Sequence, residues 1–231
     1  MRTIGLIGGM SWESTVTYYQ LLNRMARDRL GGLHSAKLLL WSFDFAEIEA
    51  YQSSGDWDGA RDAMIEAARC LARGGAHCIV ICTNTMHRMA AEVENAVEIP
   101  LIHIADATAE AIKTKGAGKP LLLATRYTME QDFYKGRLQQ KHGIQVAIPD
   151  EAGRRIVHDV IYDELCRGVV SPSSKQRYLA IIGEATSSGA DSVILGCTEV
   201  GLLIAQSDLT VPAFDTTELH ARAALDFALG T

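Results

Sequence analysis

Short apolar runs alternate with amphipathic stretches along nearly the whole chain. Continuous apolar runs of about four to eight residues are typical of buried β-strands, and they occur at 3–7, 36–41, 77–82, 100–104, 120–124, 144–147, 192–195 and 211–214. Between these runs, apolar side chains recur at helical spacing, as in residues 61–72. Strands that are apolar almost throughout predict parallel sheets covered on both faces, so the pattern indicates an α/β fold.

An internal repeat divides the chain. Residues 75–85 align without gaps to residues 189–199 at a constant offset of 114 positions. Two weaker similarities pair residues 99–108 with 211–217 and the first strand with the strand at 120–124. We interpret these as a duplicated unit, although chance similarity among buried strands is the alternative. The prediction is two pseudo-symmetric parallel-sheet α/β domains, residues 1–98 plus 212–231 and residues 99–211, with the last strand and helix returning to the first domain.

Composition and charge exclude several classes of protein. The 231 residues are 48% hydrophobic and 22% charged, which is ordinary for a globular protein and excludes disordered and fibrous ones. The net charge of −6 argues against a surface for nucleic acid or anionic membrane, because neither is attracted without a basic excess. No apolar run is long enough for a membrane span. The first residues predict a buried strand rather than a signal peptide.

The chain contains five cysteines, an odd number without a C-x-x-C motif. We expect reduced thiols and therefore a cytoplasmic protein. The seven histidines show none of the spacings typical of metal sites, so no metal is expected.

Four polar turns follow predicted strands and are the candidate site. They are Gly8–Ser11, Thr83–Thr85, Thr125–Thr128 and Cys197–Glu199. Ligands of open parallel sheets bind beyond the carboxyl ends of the strands, so two facing domains would bring these turns to one cleft. Hydroxyls, amides and helix-start N–H groups suit a small carboxylate.

The repeat aligns Thr83 with Cys197, which pseudo-symmetry would place on opposite sides of a ligand. Opposed proton-transfer groups can invert a carbon that carries an acidic hydrogen, because one removes the proton and the other returns it from behind. Neighbouring amides and hydroxyls can lower the pKa of a thiol, so Cys197 is the expected base. A threonine hydroxyl is too weak an acid to rest as a base, but it can donate or relay a proton to a carbanion.

Three motifs resemble the signature loops of the aspartate/glutamate racemase family, particularly its L-aspartate/glutamate-specific members. They are Gly-Gly-Met-Ser-Trp-Glu at 8–13, Thr-Asn-Thr-Met-His at 83–87 and Gly-Cys-Thr-Glu at 196–199. The resemblance covers essentially the whole chain. It implies two similar α/β domains with the active site between them, racemisation of L-aspartate or L-glutamate to the D-enantiomer without pyridoxal phosphate or metal, and a homodimer.

The resemblance also implies roles for individual residues. Cys197 holds the position of the cysteine that attacks the L-enantiomer, and Thr83 holds that of its opposite partner. The positions that match substrate contacts are Met10 through its backbone, Gln52, Thr83, Asn84, Thr85, Thr198 and Glu199.

One departure from the family pattern concerns the first turn. The family commonly has cysteine in both turns, whereas here Thr83 takes the first position and Cys82 lies one residue earlier. A one-residue shift along a strand points the side chain to the opposite face, so we expect Cys82 to pack in the core. The departure argues against symmetric two-thiol chemistry and predicts that L-to-D conversion is the more easily observed direction.

Structural roles compete with these functional ones. Asn84, Thr85 and Thr198 could instead cap helices, and Glu199 could complement a helix dipole. His87 could tune the first turn, although a helix-surface histidine is the more common case. Arg126 could bind a substrate carboxylate or simply be exposed.

Two other functions stay open on the sequence. One is a single-thiol isomerase or decarboxylase of the same fold, and the other is an amino-acid-binding protein without turnover.

Overall fold

The structure, a computed structural model, describes all residues from Met1 to Thr231. It divides into two compact units. Unit 1 comprises Met1–His103 with His220–Thr231, and unit 2 comprises Ile104–Leu219. The chain therefore passes from unit 1 to unit 2, and back again, a few residues later than the predicted domain boundaries.

Unit 1 is built around a three-stranded parallel sheet. In chain order its elements are β1 (Ile4–Gly8), α1 (Trp12–Leu30), β2 (Leu38–Ser42), α2 (Phe45–Ser54), α3 (Trp57–Arg73), β3 (Cys78–Ile81), a 3-10 helix (Thr85–Met89) and α4 (Ala90–Asn95). The strand order is β2-β1-β3, and Leu101 forms a single parallel bridge to Ile79 on the far side of β3.

Unit 2 repeats this plan. Its elements are α5 (Ile104–Lys115), β4 (Pro120–Leu123), α6 (Arg126–Glu130), α7 (Asp132–His142), α8 (Glu151–Asp163), a 3-10 helix (Leu165–Arg167), α9 (Pro172–Ser187), β5 (Ser192–Leu195), α10 (Val200–Leu203), a 3-10 helix (Gln206–Asp208) and β6 (Ala213–Asp215). The strand order is β4-β5-β6, and Ala147 forms a single parallel bridge to Leu121. The final helix, α11 (Thr216–Leu229), enters unit 1 from His220 onward.

The strand registers match between the two units. Ile4 pairs with Cys78 in unit 1, and Pro120 pairs with Ser192 in unit 2. The residues at the start of β3 and β5 are thus related by the same offset of 114 that relates the sequence repeat. At the other edge of β3 and β5, the amides of Ile79 and Val193 each donate to a proline carbonyl at 2.9 Å, from Pro100 and Pro212 respectively.

The predicted strands at 100–104 and 144–147 are wrong as strands, because each contributes one bridging residue only. After Leu101 the chain turns into α5 at Ile104, and after Ala147 it reaches Pro149 and then α8. Pro149 has no amide hydrogen to continue the ladder beyond Ala147, whereas the segment after Leu101 ends because the helix α5 begins.

The prediction that the last strand returns to the first domain is also wrong. Residue 213 of β6 pairs with Val193 of β5, because β5 has an open edge in unit 2 whose amide groups need partners. Only the helix after it joins unit 1.

Burial of the central strands follows the apolar pattern. Every residue of β1, β3, β4 and β5 is buried. In unit 1, α3 packs Met64, Ala67, Ala68 and Leu71 into one core cluster, as its helical spacing predicts, while α1 and α11 contribute to another. The edge strand β2 departs from the prediction of covered faces, since Leu40 is 52% exposed. No helix of the structure combines the length and the apolar character that crossing a membrane requires.

Candidate active site

Thr83 and Cys197 occupy equivalent places in the two units. The amide of Cys82 donates to the carbonyl of Ile7 at 2.9 Å, and the amide of Gly196 donates to the carbonyl of Leu123 at 2.8 Å. Each of these is the last hydrogen bond between the strand and its neighbour in the sheet. The next residue, Thr83 or Cys197, is the first to leave the sheet, and both side chains are half-buried.

Cys82 is 1% exposed and packs in a core cluster of unit 1, which confirms its predicted core position. Its counterpart is Gly196, where a Cβ atom would lie 2.5 Å from Leu122 Cδ1. Burial holds the pKa of the Cys82 thiol far above its usual range. The thiol beside Thr83 is therefore not available as a second base.

The Cys197 turn joins a thiol to a carboxylate. The Sγ atom of Cys197 lies 2.8 Å from Oε2 of Glu199, and the Thr198 hydroxyl donates to the same oxygen at 2.7 Å. Thr198 and Glu199 are both buried. Glu199 makes no side-chain cap hydrogen bond to α10.

This arrangement contradicts the expectation of a lowered thiol pKa. Burial raises the pKa of Cys197 well above its ordinary value, and the adjacent negative charge of Glu199 raises it further. The Cys197 S–H donates to Glu199, and the raised pKa favours the neutral thiol over the thiolate.

The Thr83 turn is polar and buried. Asn84 and Thr85 are 3% and 4% exposed. Asn84 precedes the 3-10 helix without a side-chain cap, so capping does not account for its amide. The Thr83 carbonyl lies 2.8 Å from Nδ1 of His87. His87 is 2% exposed, which makes the helix-surface interpretation of this histidine wrong.

Gln52 contacts the 3-10 helix that follows the Thr83 turn. It belongs to α2, is buried, and its Nε2 atom lies 3.3 Å from Sδ of Met86 in the 3-10 helix. A residue 34 positions away in sequence is thus brought into contact with Met86.

The glycine turn ends β1 in a conformation that needs glycine. Gly9 has a φ of +83°, and a Cβ there would lie 2.2 Å from the carbonyl oxygen of Phe43. The Gly9 amide donates to the Thr15 hydroxyl at 2.8 Å. Met10 buries its side chain in the core of unit 1, so only its backbone is suited to contact a ligand.

The corresponding turn of unit 2 has the same capping geometry. Ser11 accepts from the amide of Ser14 at 3.4 Å, and Thr125 accepts from the amide of Thr128 at 3.4 Å. Arg126, a candidate for carboxylate binding, is exposed, and its amide donates to Nδ1 of His158 at 3.3 Å.

Three side chains near His87 could not be predicted from the sequence: two histidines that pack against its ring and a tyrosine that contacts one of them. They are Tyr18, His103 and His220, all buried in unit 1. Their sequence positions carry no periodic or motif signal, because they come from α1, the segment between α4 and α5, and α11. No group of three or more histidine, cysteine or acidic residues is arranged to hold a metal ion.

Comparisons with known proteins agree with this architecture. A crystal structure of a Yersinia pestis protein assigned to the Asp/Glu racemases superimposes with a TM-score of 0.93 at 52% identity, covering 99% of this chain and all of that one. An aspartate racemase homologue from Pyrococcus horikoshii gives 0.86 at 35% identity with the same coverage. The broad specificity amino-acid racemase RacX of Bacillus subtilis is 24% identical over 171 residues, 73% of this chain and 72% of that one. The sequence profile of the Asp/Glu/hydantoin racemase family matches residues 7–224, and the chain therefore belongs to this family.

Proposed function

We propose that the protein racemises L-aspartate or L-glutamate to the D-enantiomer without a cofactor, with Cys197 as base and Thr83 as proton donor. The observation that carries this is the equivalence of the two residues, each the first to leave the sheet beyond a matching ladder hydrogen bond. The proposed reaction requires these two side chains to act on opposite sides of one α-carbon.

The proposed reaction moves two protons. The Cys197 thiolate takes the α-hydrogen of the L-enantiomer as a proton, and the electron pair stays on the carbon, delocalised into the substrate carboxylate. The Thr83 hydroxyl then donates a proton from the opposite face, directly or through one water. Solvent returns a proton to Thr83, and Cys197 releases the one that it gained.

The groups around Cys197 control formation of the thiolate, which has to precede proton removal. Oε2 of Glu199 accepts the S–H hydrogen bond at 2.8 Å and favours the neutral thiol, so the thiol proton has to pass to solvent when substrate binds. The α-ammonium of a bound amino acid adds a positive charge, which favours the thiolate over the thiol. Substrate binding would therefore favour ionisation of a thiol whose pKa is raised in the free protein.

Substrate would be held by the polar groups of the strand-end turns. The Glu199 carboxylate suits the α-ammonium, while hydroxyls and amides of Asn84, Thr85 and Thr198 suit carboxylates. Gln52 and the Met10 backbone complete the proposed set. These roles follow the family positions and the burial of the side chains at each turn.

A homodimer in the cytoplasm is part of this proposal. The α1 surface offers an apolar stripe of Trp12, Val16 and Tyr19, which are 64%, 42% and 58% exposed. Light scattering of the purified protein tests this, and Trp12→Glu should shift the mass toward a monomer.

The neutral state of Cys197 favours a second candidate. A thiol with a raised pKa can protonate an enolate, which is the step that a single-thiol decarboxylase or isomerase of this fold would need. Substituted malonates and maleate separate this candidate from racemisation.

The deciding experiment is isotope exchange in D2O with both enantiomers of aspartate and glutamate, followed by proton NMR and circular dichroism without added cofactor. We expect loss of the α-proton signal and of optical activity. Cys197→Ser should abolish exchange from the L-enantiomer, and Thr83→Ala should retain this washout while losing inversion. Cys70→Ser, at a thiol on α3, is the matched control and should behave as wild type. Binding without exchange for every acidic amino acid would contradict the proposal.

A further inference from the structure

His87 is the centre of a buried histidine cluster beneath the Thr83 turn. The cluster consists of His87, His103 and His220 together with the hydroxyl of Tyr18. The His87 ring centroid lies 4.7 Å from that of His103 and 5.5 Å from that of His220. All four side chains are at most 7% exposed. Rings packed this closely in a core cannot rotate without displacing their neighbours.

The hydrogen bonds of His220 fix its orientation. Its Nε2 atom lies 2.6 Å from the carbonyl oxygen of Ile102, and its Nδ1 atom lies 2.8 Å from the Tyr18 hydroxyl. A carbonyl oxygen only accepts, so Nε2 carries the hydrogen. Burial lowers the pKa of His220 to about 4, so the ring is neutral and Nδ1 accepts from Tyr18. The ring against which His87 packs is therefore held at both nitrogens.

The ring hydrogen of His87 is located in the same way. Its Nδ1 atom lies 2.8 Å from the Thr83 carbonyl oxygen, so Nδ1 is the donor. The peptide between Thr83 and Asn84 is trans and planar, because the cis bond of the chain is elsewhere. Its N–H therefore points opposite to its carbonyl, away from the histidine cluster.

Unit 2 has no such arrangement. The repeat offset aligns His87 with Gly201, where an added Cβ would lie 2.9 Å from Oδ2 of Asp215. The Cys197 carbonyl accepts instead from the backbone amide of Val200 at 3.0 Å. The imidazole thus bonds to the turn of unit 1, which carries a hydroxyl, and has no counterpart at the turn of unit 2, which carries a thiol.

We propose that His87 is a positioning residue, which holds the Thr83–Asn84 peptide so that the Thr83 side chain and the Asn84 amide face the substrate. This inference rests on the proposed racemase function. A hydroxyl is a poor acid, so its reaction depends on alignment with the carbanion, and small displacements lower the rate strongly. The histidine cluster supplies that alignment from within the core.

Two substitutions separate positioning from packing. His87→Asn keeps an N–H donor near the place of Nδ1 but loses the ring, whereas His87→Phe keeps the ring but loses the donor. We expect kcat for L-aspartate inversion to stay within about threefold of wild type in His87→Asn, and to fall about tenfold or more in His87→Phe, each tenfold being about 1.4 kcal/mol. KM should change less than kcat. Equal losses, no losses or the reverse order would overturn the proposal.

A readout without turnover keeps this test separate from that of the proposed function. In wild-type protein, nitrogen NMR should show His87 protonated at Nδ1, and a pyridine-type Nδ1 would overturn the inference. Crystal structures should show the Thr83–Asn84 peptide retained in His87→Asn and rotated in His87→Phe. An unrotated peptide in the latter would refute the inference even if the wild type proves inactive on acidic amino acids.

Discussion

The Sγ atom of Cys197 lies 2.8 Å from Oε2 of Glu199, so a thiol and a carboxylate share one hydrogen at the end of β5. Both groups would be anionic if the thiol ionised, and the repulsion is strong in a buried turn. The pKa of the Cys197 thiol is therefore raised in the free protein, and this sets the pH range in which the thiol can react.

Replacing Glu199 should make Cys197 more acidic. Burial continues to raise the thiol pKa in Glu199→Gln, but the charge repulsion is gone, so the titration of Cys197 moves to lower pH. The measurement is the pH dependence of iodoacetamide modification, followed at Cys197 by mass spectrometry of its peptide. Glu184→Gln, an exposed charge change on α9, is the control and should leave the curve in place. An unchanged or upward-moving curve in Glu199→Gln would show that the carboxylate does not control this thiol.

Introducing a thiol at position 83 should make the rates of L-to-D and D-to-L conversion more alike. A thiol is a far stronger acid than a threonine hydroxyl, so Thr83→Cys can hold a thiolate that attacks the D-enantiomer. We expect kcat from D-aspartate to rise about tenfold or more, whereas Thr83→Ser should resemble wild type. Initial rates by circular dichroism from each enantiomer provide the measurement. In every active variant kcat/KM must stay equal for the two enantiomers, because their free energies in water are equal.

Because His220 is buried, the free energy of unfolding should decrease as the pH is lowered. Its pKa of about 4 in the folded protein lies below the ordinary value of 6.5. The unfolded chain therefore binds more protons between these two values. The stabilisation is complete above pH 6.5 and is lost as the pH falls toward 4, by up to about 3 kcal/mol. Urea unfolding at several pH values measures this slope.

His220→Gln cannot titrate, so its unfolding free energy should depend less on pH in that window, even if the variant is less stable at pH 7. His34→Gln, at an exposed histidine, is the control and should keep the wild-type slope. The same slope in His220→Gln and wild type would show that this ring is not the titrating group.

Asp106 should contribute strongly to the stability of unit 2. Burial alone would raise the pKa of this carboxyl, but hydrogen bonds from Arg137, Lys141 and His142 outweigh it and lower the pKa. The Arg137 guanidinium donates to both carboxylate oxygens at 2.7 Å, which ties α5 to α7. Asp106→Asn should cost about 2 kcal/mol in urea unfolding at pH 7.

The contribution of Asp106 is present above the ordinary aspartate pKa of about 3.9 and is lost as the pH falls below it. Glu110→Gln is the matched control on the same helix. Its side chain is 70% exposed in its contact with Lys113, so its loss should cost about 0.5 kcal/mol or less. Equal costs for the two variants would contradict the assigned role of Asp106.

Much of the fold could be predicted from local pattern. The buried strands β1, β3, β4 and β5 and the apolar face of α3 follow from spacing, because burial on both faces demands continuous apolar residues. The core position of Cys82 follows from strand alternation alone. The edges of both sheets could not be predicted in this way. An apolar run before a helix has the same sequence pattern whether it forms a single bridge or a complete strand.

The candidate site, too, could be predicted from the sequence only in part. The repeat at an offset of 114 aligned Thr83 with Cys197, because duplicated strands keep their register and their turns. The sequence by itself thus determined the fold class, the family and the pair of turns. Only the tertiary structure decided that the Cys197 thiol is neutral beside Glu199, that Gln52 reaches Met86, and that a histidine cluster underlies Thr83. These features depend on desolvation and on contacts between residues distant in the chain, and neither quantity is encoded in the spacing of residues along one segment.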